Sequence, residues 1–216
     1  MHVVVTREAG HNETLKSWLP KGAEVSEIPL TTTNYFDDDE VRAALESSEH
    51  FGRFRSLVVT SARSASYREV VSSALAHDAV TLAVGTASAS DGDVVGQGGA
   101  ADLATAIEHG PVLLLGARSM REELPGLLRA KGLDVTSVAC YETLPATLSN
   151  EDEATLRRAD VVFIGAPSAW LVAAASISPD AWVVVPGATT ASAVNPTHDR
   201  VLEGWGPDLR EVLAAL

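Results

Sequence analysis

At 216 residues the chain suits one large domain or two small ones, and its 46% hydrophobic and 21% charged content excludes a disordered or fibrous protein. With 16 basic against 29 acidic residues the net charge is −13, which argues against a nucleic-acid partner because phosphate binding needs a clustered positive field. The single cysteine, Cys140, excludes an intrachain disulfide, reads as a small buried hydrophobe and fits a reducing cytoplasm. The opening MHVVVTREAG lacks the charged start and apolar run of a signal peptide, and no run approaches the roughly 18 apolar residues of a membrane span. A cytoplasmic protein without membrane contact is expected.

In chain order, short apolar runs recur: VVV at 3–5, LVVT at 57–60, TLAV at 81–84, VLLL at 112–115, VVFI at 161–164 and WVVV at 182–185. Each is followed by small or turn residues and then a segment of helical periodicity. Runs this uniformly apolar suit parallel strands covered by helices on both faces, so the class is α/β. Leu15, Trp18 and Leu19 form one helical stripe, and Leu124, Leu127 and Leu128 form another at the same spacing. Both helices are expected to end at a Lys-Gly pair, Lys21-Gly22 and Lys131-Gly132, where glycine suits a left-handed cap. DDDE at 37–40 reads as an acidic helix start rather than a metal site.

A second unit also repeats. LVVTSARSA at 57–65 matches VVFIGAPSA at 161–169, GTASA at 85–89 matches GATTA at 187–191, and GGAADL at 98–103 matches GWGPDL at 204–209. Ordered matches of this kind indicate a duplication. Two similar domains can then be assembled as simple halves split near residue 110, or by a chain that begins one domain, completes the second and returns to finish the first. In the latter case EVSEIPLTT at 24–32 and DVTSVACYETLP at 134–145 are the crossings.

The histidines at 2, 11, 50, 77, 109 and 198 have no metal-ligand spacing, and with one cysteine no zinc site is expected. GQGGAA at 96–101 lacks the G-x-G-x-x-G spacing of a dinucleotide fingerprint and reads as having no strand ahead of it. A Walker-type Gly-Lys-Ser/Thr is absent from the sequence.

VVVTR at 3–7, EVSEIPL at 24–30, LVVTSARSA at 57–65, the Tyr141-Glu142-Thr143 strand within SVACYETLP and the Gly187–Ala191 turn together resemble the uroporphyrinogen-III synthase family. The resemblance covers nearly the whole chain and implies the crossed assembly. Residues 1–30 with 143–216 would form one domain and 31–142 the other, two similar parallel-sheet domains joined by a two-stranded antiparallel linker. It further implies a lyase of tetrapyrrole and heme biosynthesis that needs no metal or redox cofactor. Its substrate would be hydroxymethylbilane, held between domains whose opening varies, and a monomer is expected. The terminal hydroxyl leaves as water, and the last pyrrole is inverted through a spiro intermediate.

An acidic chain holds such a polycarboxylate only through local donors, and small-residue turns after parallel strands supply unpaired helix-start amides. Candidate turns are Thr60, Ser61 and Ala62; Gly85 to Ser88; Pro167 and Ser168; and Gly187 to Thr190, with Thr190 foremost, as a catalytic candidate by its match to the family turn, and Thr189 next. The plain alternative for each is helix capping. Thr6 and Arg7 close the VVVTR run and join the substrate-binding set, as does Arg118; Arg63 and Arg121 also sit past strand ends, where an arginine can grip a carboxylate. Tyr141 fits the family role of assisting departure of the hydroxyl, against packing on a linker strand as the alternative. The sequence departs from the family at Ser88, where threonine is common, and at Ala188, where proline is usual. Gly92 and Pro196 are expected to shorten the helices after both turns. The rival readings are a non-catalytic two-domain protein that clamps a small anion, and a nucleotide-dependent enzyme, which would need a phosphate fingerprint.

Overall fold

The computed structural model describes residues 1–85, 88–91, 93–96 and 99–214. Thr86 and Ala87 of the Gly85–Ser88 turn, Gly92, and Gln97 and Gly98 of GQGGAA lie outside the described residues. The chain divides into two compact units, Met1–Thr32 with Leu144–Leu216, and Thr33–Thr143.

The first unit is built on β1 (His2–Val5), β2 (Glu24–Glu27), β9 (Val161–Phe163), β10 (Trp182–Val185) and β11 (Val201–Glu203), in the sheet order β11-β10-β9-β1-β2 with every pair parallel. Its central strands are apolar throughout because alternate side chains enter separate cores. Val4, Val162, Val183 and Val185 meet Leu156, Trp170, Ala173 and Val194 from α6 (Asn150–Arg158), α7 (Pro167–Ala173) and α8 (Ala188–Val194). Val3, Val5, Phe163 and Val184 meet Leu15, Leu209 and Leu213 from α1 (Glu13–Ser17) and α9 (Leu209–Ala214).

The second unit carries β3 (Thr31–Tyr35), β4 (Phe54–Val59), β5 (Leu75–Val84), β6 (Val94–Gly96), β7 (Val112–Ala117) and β8 (Val135–Pro145), ordered β3-β8-β7-β4-β5-β6. Leu57, Val59, Leu113 and Leu115 face α2 (Asp38–Glu46) and α3 (Arg68–Val71), while Val58, Leu82 and Leu114 face α4 (Ala100–Ala106) and α5 (Glu123–Ala130). Setting β4, β5, β6, β7 and β8 against β9, β10, β11, β1 and β2 gives the same sheet order in both units. The sequence repeats thus occupy equivalent strands.

Unit boundaries fall inside β3 and β8, which are neighbours in the sheet. Phe36 N–H donates to Cys140 O at 3.0 Å and Ala146 N–H to Leu30 O at 3.0 Å, so positions fall on one strand as they rise on the other, an antiparallel pair. The first crossing begins later than EVSEIPLTT suggests, because Glu24–Glu27 is the parallel edge strand β2.

Two helix ends contrast. After α5, Gly132 takes φ +79°, Gly132 N–H donates to Arg129 O, and Leu133 N–H donates to Leu128 O, a complete Schellman cap. α1 instead stops at Ser17, so Lys21-Gly22 is not its cap; Pro20, which cannot continue a helix, lies between. β6 ends on Gly96, the first residue of GQGGAA, contrary to the sequence reading, because Val94 and Val95 are its only β-branched residues, too few to register as a strand. α8 ends at Val194, just before Asn195-Pro196, and among the described residues no α-helix lies between Gly85 and Val94.

Cys140 is fully buried, and loss of hydration pushes its thiol up to about 12. The fold therefore favours the neutral thiol. Stability from this group is complete below the unfolded thiol's pKa of about 8.5 and is lost as pH rises toward 12. A thiol reagent at pH of about 8, just below that unfolded value, is expected to leave the native protein unmodified and to titrate one thiol in denaturant.

Candidate active site

Parallel pairing brings the carboxyl ends of β4, β5 and β7 to one edge of the second unit. β8 joins them through a register shift, with Gly116 opposite Ala139 but Ala117 opposite Tyr141. The extra residue, Cys140, is a bulge. Simple alternation would send Tyr141 to the face opposite Cys140, yet both lie in one core cluster with Val138. Tyr141 is 6% exposed and also lines a cavity of 570 Å³ with Thr60, Ala117, Met120 and Arg121. Its hydroxyl donates to Ser61 Oγ at 3.0 Å, its ring lies 6.2 Å from that of Tyr35, and the Arg63 guanidinium sits 5.8 Å over it.

The hydroxyls of the Thr60–Ser64 turn are engaged within the protein. Thr60 Oγ1 donates to Leu115 O at 2.8 Å, Ser64 Oγ donates to Ser61 O at 2.9 Å, and Ser61 Oγ accepts from Ser64 N–H at 3.3 Å. Capping therefore describes the Ser61 side chain here, where the chain enters a 3₁₀ turn over Ala62–Tyr67 with Ala62 exposed. Gly85 holds φ +74° at the end of β5, and the buried Ser88 donates its N–H to Gly85 O at 3.2 Å. An ionic clamp lies beside this turn. Arg68 forms a bidentate pair with Asp93 at 3.1 and 2.6 Å and also donates to Ser88 O at 2.8 Å, while Ser90 N–H donates to Asp93.

Arg118 is committed elsewhere. Its guanidinium lies 4.5 Å over Phe36, pairs with Glu142 at 2.9 Å and approaches Glu40 at 3.8 Å. Arg121 is exposed at the cavity, and among the described residues no ion pair engages it.

In the first unit the strand ends carry the corresponding candidates. Thr6 is buried and its hydroxyl donates to Phe163 O, tying β1 to β9 as Thr60 ties β4 to β7. Arg7 is exposed, with its guanidinium 5.9 Å from the Trp205 ring. Pro167 opens α7 at a position whose missing N–H costs nothing, followed by the exposed Ser168. Gly187 caps α8, whose first amides, Ala188 and Thr189, have no intrahelical acceptor. Thr189 is exposed, whereas Thr190 is 3% exposed and turns its side chain inward, its N–H closing on Gly187 O at 3.0 Å.

The structure thus joins Tyr141, Ser61 and Thr60 directly, and buries Thr6 and Thr190 beneath their turns. Sequence reasoning missed Arg68 and Asp93, which carry no local signal because they lie 25 residues apart. Ser64 was readable only as part of the SARSA repeat.

At the first unit's edge, charges are perturbed at the Lys16–Glu27 pair. Hydrogen bonds from Lys16 and then Asn12 hold the Glu27 carboxyl below its ordinary range.

The fold is similar to that of solved uroporphyrinogen III synthases. The Helicobacter pylori 26695 enzyme matches with a TM-score of 0.65 at 16% identity, over 99% of this chain and 97% of that one. A mutant enzyme from the extremely thermophilic bacterium Thermus thermophilus matches with a TM-score of 0.61 at 16% identity, over 100% of this chain and 96% of that one. Among curated proteins, no sequence matches. The family model described as uroporphyrinogen-III synthase HemD matches residues 14–197, so the chain belongs to the uroporphyrinogen-III synthase family.

Proposed function

We propose that the chain converts hydroxymethylbilane to uroporphyrinogen III, releasing the terminal hydroxyl as water and inverting the last pyrrole ring before closure, as a monomer in the cytoplasm. Family membership supports this over a non-catalytic anion clamp. The structural observation that carries the chemistry is Tyr141. It follows a bulge in β8 and lines a 570 Å³ cavity with Thr60 and the exposed Arg121.

In this reading Tyr141 is the catalytic donor to the departing hydroxyl. Candidate donors for the substrate's carboxylates stand at the carboxyl ends of the strands. The candidates are the turns at Thr60–Ala62, Gly85–Ser88, Pro167–Ser168 and Ala188–Thr190, with Arg7 exposed nearby and Thr6 holding β1 in place. Arg121 replaces Arg118 as the cavity cation, because Arg118 is held by Glu142 and Glu40. Catalysis of this kind is mainly positioning, since the substrate closes unaided to the type I isomer.

The test is a coupled assay that generates hydroxymethylbilane and separates type I from type III product. Type III product from the wild type is expected, and type I alone at the uncatalysed rate would sink the reading. Tyr141→Phe removes one neutral hydrogen bond and is expected to lower kcat about fivefold. Thr190→Ala, which loosens the turn holding two unpaired amides, is expected to cost more, about tenfold in kcat/KM.

A further inference from the structure

The hydrogen bonds behind Tyr141 have a direction. Tyr141 Oη donates to Ser61 Oγ at 3.0 Å, and Ser61 Oγ lies 3.3 Å from Ser64 Oγ. Ser64 spends its own proton on two carbonyls, Ser61 O at 2.9 Å and Leu115 O at 3.2 Å, so its oxygen is left to accept from Ser61. One arrangement these distances allow runs the protons from the phenol through both serines to the backbone. In that state the Tyr141 oxygen is left with only lone pairs to offer. A departing hydroxyl requires the opposite, a proton aimed outward.

We propose that Ser61 is a positioning residue whose hydroxyl rotor sets whether Tyr141 faces the cavity as acceptor or as donor. Rotation about the Ser61 Cβ–Oγ bond turns its proton onto the phenol oxygen and frees the Tyr141 proton for the cavity. No heavy atom moves. Ser61 Oγ continues to accept from Ser64 N–H at 3.3 Å, and the Ser64 proton stays on its carbonyls. The donated bond also polarises the phenol and strengthens it as a donor. This inference rests on the synthase reading and adds to it the residue through which the catalytic phenol is controlled.

Three variants separate this role from capping of the 3₁₀ turn. Ser61→Ala removes both the cap and the donor, and is expected to lower kcat about fivefold with KM little changed. Ser61→Asp keeps a capping acceptor but has no proton to donate, so it locks the phenol inward. Its kcat is expected to fall below that of Ser61→Ala while its melting temperature stays above. Ser61→Thr retains cap and donor and should restore kcat. In a Tyr141→Phe background, Ser61→Ala should have no further effect on kcat.

The inference is overturned if Ser61→Asp outperforms Ser61→Ala in kcat, the order a purely structural cap predicts, or if the Ser61 and Tyr141 losses multiply. Wild-type type III product accompanied by either result removes this inference alone. Type I product alone from the wild type removes the synthase reading and this inference with it.

Discussion

Replacing Arg68 by alanine is expected to destabilise the protein by about 3–5 kcal/mol, measured by urea unfolding. The Asp93 side chain is 5% exposed and that of Arg68 20%, so the pair is largely removed from water. Alanine leaves a buried carboxylate whose remaining partner among the described residues is the Ser90 amide, and it strips Ser88 O of the Arg68 donor. The cost comes from the orphaned charge rather than from the attraction itself. Converting both members to apolar residues, Arg68→Met with Asp93→Leu, should accordingly recover much of the loss. Recovery stays incomplete because the Ser88 carbonyl and Ser90 amide remain unserved. A loss below about 1 kcal/mol for the single variant would place the pair among ordinary surface bridges and overturn the argument.

The second large effect is expected at Gly116. A Cβ there would run into Thr60 Oγ1 and Met120 Cε. Met120 can shift, but Thr60 is tied to Leu115 O at 2.8 Å, so alanine must break that bond or displace β7. Overpacking of this kind costs about 1–3 kcal/mol, and the upper half of that range is expected. Thr60 and Met120 both line the cavity, so type III product formation should fall in parallel. Gly126 is the control. It lies in α5 with nothing within 4 Å of a built Cβ, and alanine there should stabilise by up to about 1 kcal/mol. Equal melting temperatures for the two variants would refute the steric account.

The elements readable from sequence were those buried on both faces. VVV at 3–5 and VLLL at 112–115 are apolar because each side of the strand enters a different core, and that demand writes itself into every residue. Edge strands carry no such demand. β2 is EVSE, with Glu24, Val25 and Glu27 exposed, and reads as a connection. Turn residues were legible by type but not by use. Thr6, Thr60 and Ser61 sit at strand ends as expected, yet their hydroxyls are spent on the protein itself. The Cys140 bulge was hidden because SVACYETLP reads as one unbroken strand, with no glycine or proline before its end to mark an irregularity. Arg118 shows the same limit for charge: a position past a strand end does not reveal that Glu142 and Glu40 are waiting for it.

The order in which the strands are made has a consequence for biosynthesis. β1 takes its place between β2 and β9, and Val3 pairs with Val161, so most of the chain must leave the ribosome before the first sheet can close. Thr33–Thr143 is continuous and emerges whole in the interval. During translation that segment is expected to fold first, drawing the ends of a very long loop together and lowering the entropy cost of seating β9. Until then β1 and β2 form at most a two-stranded ribbon with Val3, Val4 and Val5 exposed. That nascent-chain stage, rather than the finished protein, is where aggregation and chaperone capture should concentrate.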